Sequence, residues 1–138
     1  MKKVCICCSL SFTDEAFQVA DKLKSLDFEP LLPQGVIDRE IEKEGFDPVA
    51  VKIATGNVNK HFDKVQASDF VLILNYPKKG IDGYIGANTF LEIGCAHYHH
   101  KPIFALNPLP DQPYIYDELH SFGIKVLDGD LEKINELI

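Results

Sequence analysis

No apolar run in this sequence approaches the roughly 18 residues that a membrane-spanning helix needs, so a transmembrane segment is not expected. The opening Met1-Lys2-Lys3-Val4 carries charge like the first region of a signal peptide. The apolar run behind it, however, ends at Phe12 and meets Thr13-Asp14-Glu15 with no small-residue cleavage site, and it reads as a first strand. A segregated basic patch is also lacking. Cations come no denser than pairs such as Lys78-Lys79, and the formal net charge is -7. A phosphate backbone would be repelled, so no nucleic acid is expected as a partner and a small ligand is favoured. Internal repeats and low-complexity segments are missing too. Cysteine is sparse and wrongly spaced for a zinc knuckle, which wants Cys-x2-Cys or similar. Cys5 and Cys7 share one face of a strand, Cys8 takes the other, and Cys95 lies far away. The plain reading is small buried apolar side chains in a reducing cytoplasm.

What is present fits a single α/β domain over 1–138. The chain is 46% hydrophobic and 25% charged, an ordinary globular balance. Its 138 residues can bury a core without disulfides or a metal. Val4-Cys5-Ile6-Cys7-Cys8 is a continuous apolar run, as in a strand buried on both faces. Thr13 reads as a helix N-cap, and Phe12 and Phe17 have the spacing of a hydrophobic staple. Phe17, Ala20, Leu23 and Leu26, with Ala16 and Val19, form an apolar stripe. A second strand spans Phe28 to Leu32 and stops at Pro33. Residues 34–45 read as a surface excursion with one helical turn. Asp47-Pro48 caps a helical region that runs to about Ala67, with an interruption at Thr55-Gly56. Strands over Phe70 to Leu74, Pro102 to Leu106 and Ile124 to Leu127 alternate with helices from Asn88 to His99, from Tyr114 to Phe122, and from the Asp130 cap to Ile138. This alternation predicts a flavodoxin-like three-layer sandwich, with a five-stranded parallel sheet in the order 2-1-3-4-5. Ligands of such sheets sit beyond the carboxyl ends of strands one and three, which gathers Ser9 to Thr13, Asn75 to Asn88, and Asn107 onward.

Within that crevice, Thr89-x-x-Glu92 has two readings. As a capping box, Glu92 ties back to the Thr89 backbone and does nothing else. As a nucleophile, it stands near the positive end of a helix, which favours the ionised form that attack requires. His97, His99 and His100 cluster at the other end of that helix, where imidazoles are favourable without any metal, so no metal site is expected. Tyr114 and Tyr116 could stack on a base or simply pack with the phenol in water. A phosphoacceptor receiver needs an aspartate at the end of strand three, where Asn75 stands. A flavodoxin needs a fuller Ser/Thr loop than Ser9 to Thr13.

Ala67-Ser68-Asp69 before the strand Phe70 to Leu74, then Thr89-x-x-Glu92-Ile93-Gly94-x-Ala96, then Lys101-Pro102-Ile103, resembles the nucleoside 2-deoxyribosyltransferase family, including the related deoxynucleotide N-hydrolases. Val4 to Ser9 and Leu31-Leu32-Pro33 fit that family's first two strands, so the resemblance covers most of the chain. It implies that Glu92 attacks the anomeric carbon of a (deoxy)nucleoside or nucleoside monophosphate. The base leaves, and a covalent glycosyl-Glu92 intermediate passes the sugar to a second base or to water, the two-step logic of a retaining glycosidase. Asn88 and Thr89 would hold the sugar. Ser9 and Ser11 would meet a 5′-phosphate through hydroxyls and amides, although Asp14 and Glu15 in the following turn oppose an anion. No cofactor is implied. The sequence departs from the family pattern in three places: Asn75 stands where an aspartate handles the base, Gly86 where a second aspartate is expected, and Asn88 where a glycine precedes the threonine. Asp82 could stand in for a carboxylate in space, though not in register. The rival expectation is a nucleotide-binding or sensor domain without turnover. A homo-oligomer is expected from loop aromatics Phe46, Tyr84 and Tyr114, and the resemblance adds that a neighbouring subunit often completes the site.

Overall fold

The computed structural model describes residues 1–33, 35, 49 and 56–138. The cap at Asp47-Pro48, Phe46 and, apart from Gly35, the excursion expected over 34–45 lie outside the described residues. The elements are β1 (Lys2–Cys7), α1 (Thr13–Ser25), β2 (Phe28–Leu31), α2 (Asn57–Ala67), β3 (Phe70–Ile73), α3 (Ala87–Tyr98), β4 (Ile103–Ala105), α4 (Tyr116–Ser121), β5 (Lys125–Val126) and α5 (Ile134–Leu137). Short 3-10 turns at Leu10–Phe12 and Leu131–Lys133 lead into α1 and α5.

The strands form one sheet in the order β2-β1-β3-β4-β5. Every pairing is parallel, with Val4 beside Phe70 and Val71 beside Ile103. This is the expected topology, and the apolar runs explain it. Residues of β1 and β3 alternate between two cores, so both faces must be apolar. Val4, Ile6, Cys8, Phe70, Leu72, Leu74 and Phe104 pack with Ala16, Val19, Ala20 and Leu23 of α1 and Ile134 of α5. Cys5, Cys7, Val71, Ile73, Ile103 and Ala105 pack with Val65 of α2, Ile93 and Ala96 of α3, and Leu119 of α4. Each large aliphatic buried this way contributes about 1.5–3 kcal/mol. Pro30, which has no amide hydrogen to give a ladder, is tolerated because β2 is an edge strand.

Three expectations are corrected at the helix starts. Thr13 does not cap α1. The chain first makes a 3-10 turn, Ser9 takes the capping position by accepting from the Ser11 amide, and the Thr13 hydroxyl donates to the Leu10 carbonyl. The extra turn rotates Phe17 off the buried stripe, leaving it 46% exposed. The staple is therefore not formed, and Phe12 packs edge-on against Tyr76 instead, with ring centroids 5.2 Å apart. Of the interruption expected at Thr55-Gly56, Thr55 lies outside the described residues, and Gly56 takes a left-handed conformation (φ 62°) immediately before α2. After β1 the chain turns toward the α1 face, and after β3 toward the α3 face. The crevice opens between these departures.

Candidate active site

The floor of the crevice is built by three elements that sequence spacing does not connect. Period-two alternation on β1 points Cys5 and Cys7 toward α2 and α3. From α2, His61 enters on the same buried stripe as Val65, one turn apart, and is 3% exposed. From α3 comes Glu92. The His61 Nε2 atom lies 3.2 Å from Glu92 Oε2, 3.5 Å from Cys7 Sγ and 3.8 Å from Cys5 Sγ. One imidazole nitrogen thus faces a carboxylate and two sulfurs.

Charge follows from these contacts. The Cys7 thiol donates to the Cys5 sulfur and holds Cys5 down to about 6 against the effect of burial, with His61 adding to the lowering. Cys7, buried and serving as donor, is pushed well above the usual thiol range. Burial alone would depress His61, but its contacts with Cys5 and Glu92 outweigh burial and lift it to about 9. Near neutral pH the floor therefore holds an imidazolium between a thiolate and Glu92. Cys8, on the opposite face of β1, is raised to about 12 by burial. The plain reading of the cysteines as inert apolar filler is right for Cys8 and incomplete for Cys5 and Cys7.

Glu92 is not a helix cap. The N-cap of α3 is Gly86, which makes no side-chain cap, and Glu92 is the sixth helical residue. The capping-box reading, which needs Glu92 in the first turn, does not apply. Its buried Oε2 makes no hydrogen bond of good geometry, and its close polar contact is the 3.2 Å approach of His61 Nε2. Thr89 is buried, and Asn88, one turn before Glu92 on the same side, is exposed toward the crevice rim.

The mouth is formed by the loops after β1 and β3. Ser9 Oγ and Ser11 Oγ lie 2.9 Å apart, and Lys78 Nζ donates to Ser9 Oγ at 3.1 Å. Lys78 and Lys79 both lie over the Tyr84 ring, 5.3 and 5.7 Å from its centroid. A bridge between Lys78 and Ile81 folds this loop into a tight hairpin, and Asp82 is exposed on the turn that follows it. Gly83 (φ 69°) passes so close to the β4 loop that a Cβ would stand 2.4 Å from the Pro108 carbonyl. The Gln112 amide brackets Ile85, accepting from its N–H at 2.7 Å and donating to its carbonyl at 2.9 Å.

Asn75 belongs to this scaffold. It is fully buried, its Nδ2 donates to the carbonyls of Asn107 (2.8 Å) and Pro108 (3.1 Å), and its Oδ1 accepts from the Asn107 amide at 3.0 Å. The Asn107 side chain returns a bond to the Asn75 carbonyl at 3.1 Å. Of the residues singled out from sequence, Ser9 and Ser11 meet at the mouth and Asn88 and Glu92 share one side of α3. Asn75 faces the backbone, and Asp82 stands on the turn after the hairpin. At the far end of α3, His97 stacks on Phe122 with centroids 4.6 Å apart. Tyr114 is wholly exposed, while Tyr116 stacks on His120 at 4.0 Å. Sequence reasoning missed His61 and Lys78. The readable signal for His61 was an ionisable side chain on the apolar stripe of α2.

No protein-family model matches the chain, and no curated protein matches it in sequence. Solved structures do match its fold. A 2-deoxyribosyltransferase from the psychrotolerant bacterium Bacillus psychrosaccharolyticus superposes with a TM-score of 0.58 at 13% identity, over 83% of this chain and 78% of that one. The CMP N-glycosidase of Clostridium botulinum gives 0.55 at 16% identity, over 99% of this chain and 100% of that one. A 2-deoxyribosyltransferase from Leishmania mexicana gives 0.54 at 18%, over 85% and 71%. The chain has the α/β fold of these enzymes.

Proposed function

We propose that the protein cleaves or transfers the N-glycosidic bond of a nucleoside or nucleoside monophosphate, with Glu92 as the attacking carboxylate. The observation that carries this reading is the placement of Glu92: free of any capping role, beyond the switch-point strands, with the His61 imidazole 3.2 Å away. The similar solved structures are two 2-deoxyribosyltransferases and a CMP N-glycosidase, which supports the bond type. Attack at the anomeric carbon would expel the base and leave a glycosyl ester on Glu92. A second base or water would then take the sugar. His61 orients the carboxylate and offsets its charge. The hydroxyls of Ser9 and Ser11 and the Lys78 ammonium make the mouth a place for a 5′-phosphate, and Lys78 offsets the opposing charge of Asp14 and Glu15. Asn88 and Thr89 would hold the sugar.

A second reading, a nucleotide-binding domain without turnover, is favoured by Asn75. Its amide is engaged by backbone, so the end of β3 offers the leaving base no carboxyl proton.

The deciding experiment is a panel of deoxynucleosides and their monophosphates, assayed for free base. Wild-type protein should release base from at least one of them. Glu92→Gln should lower that release by at least a hundredfold while binding persists, because the amide cannot form the ester. A substrate fluorinated at the 2-position of the sugar should leave an adduct on Glu92 visible by mass spectrometry. Binding without base release from any substrate would support the sensor reading.

A further inference from the structure

We infer that Cys5, Cys7 and His61 form a three-ligand binding site for a thiophilic divalent cation of the zinc type, with Glu92 beside His61 at its open side. The three side chains are buried, and their sulfur and nitrogen atoms lie within 4.8 Å of one another; among the described residues they are the group arranged in this way. The two sulfur–nitrogen distances suit ligands that share one cation. With Zn–S near 2.3 Å and Zn–N near 2.0–2.1 Å, sulfur–nitrogen separations come to roughly 3.6 Å. The structure has 3.5 and 3.8 Å.

An independent observation lies behind the cluster. His61 Nδ1 and Asn57 Oδ1 are both buried with no hydrogen-bond partner among the described residues, and the two residues are one helical turn apart on α2. An imidazole that binds a metal through Nε2 carries its proton on Nδ1 and donates it to a carbonyl or carboxylate. The unpaired Asn57 oxygen, one turn away on α2, would take that proton after a side-chain rotation. Access is from the crevice, where the Glu92 side chain is 14% exposed against 4% for His61. The donor set is soft enough to select zinc or cobalt over magnesium or calcium. Occupancy would compete with glycosyl transfer for Glu92, a consequence that rests on the reading above; the binding itself does not.

The test uses the full chain, reduced and stripped with chelator, titrated with Co²⁺ and followed by absorption. One equivalent should give the thiolate-to-cobalt charge-transfer band and the intense visible bands of four-coordinate cobalt, and Zn²⁺ should bleach both. Cys7→Ser should weaken binding by more than the ~10- to 100-fold that an outer partner is worth and should diminish the charge-transfer band. Glu92→Gln, at the edge of the cluster, should alter the visible bands and keep the charge-transfer band. Cys8→Ala, on the opposite face of β1, should leave the spectrum unchanged. The proposal is overturned if wild-type protein with reduced thiols gives no charge-transfer band, or if Cys7→Ser gives the wild-type spectrum.

Discussion

At the residue scale, a proton moves from thiol to imidazole when the chain folds. Unfolded, His61 has its ordinary value of 6.5 and Cys5 its 9.0; folded, they stand at about 9 and about 6. A raised histidine contributes stability that is complete below about 6.5 and is lost as pH rises through about 9. A depressed thiol contributes stability that is complete above about 9 and is lost as pH falls through about 6. Between these limits the folded pair holds one proton on nitrogen and the unfolded pair one on sulfur, so the two slopes cancel. The metal-free protein should show a urea midpoint that is level from about pH 6.5 to 9. Above that it should fall, because buried Cys7 and Cys8 are held above the usual thiol range and ionise more readily in the unfolded chain. Cys5→Ser removes the thiolate together with the largest contact that raises His61, so the histidine should titrate lower in the variant than in wild type, as followed by NMR of its ring protons. A wild-type midpoint that drops steadily from about pH 6.5 to 9 would break the proposed pairing.

At the scale of elements, the loop after β3 decides what a carboxylate at position 75 would cost. Asn75 Nδ2 serves two carbonyls of the β4 loop. Asn75→Asp would turn a buried carboxylate toward both of them. Each buried polar group left unsatisfied costs about 1–3 kcal/mol, more when charged, so urea unfolding should show a loss of at least about 2 kcal/mol, with no gain in base release. A variant as stable as wild type would mean that the loop re-pairs around the aspartate. The strands were readable because each core strand is apolar on both faces, and Asp130 was readable as a cap because its carboxylate accepts from the Glu132 amide at 3.0 Å. The start of α1 was not. Ser9 and Thr13 are both good capping residues, and only the insertion of a 3-10 turn, set by Phe12 seating on Tyr76, decides between them.

At the scale of the whole molecule, the parallel order was legible because βαβ connections leave few alternatives. The site was half legible. Ser9 and Asn88 sit at the predictable end of a strand and start of a helix, with Glu92 one turn further along it, whereas His61 reaches Cys5 and Cys7 across 56 and 54 residues, and no local spacing encodes that meeting. Self-association is the remaining expectation at this scale, and the loop aromatics support it unevenly. Tyr84 is covered by two lysines, and Phe46 lies outside the described residues. A better anchor is α3 itself. Leu91 and Tyr98, seven residues apart on one side of the helix that carries Glu92, are 54% and 79% exposed. An apolar pair of this kind fits the centre of an interface, and a second copy docked there would stand against the outer side of the helix that carries Glu92. Sedimentation should therefore give a mass above the 15.5 kDa of one chain, and Leu91→Glu should shift it toward the monomer while circular dichroism stays unchanged. A monomer at high protein concentration would remove the idea, and an unshifted oligomer in Leu91→Glu would move the interface off α3.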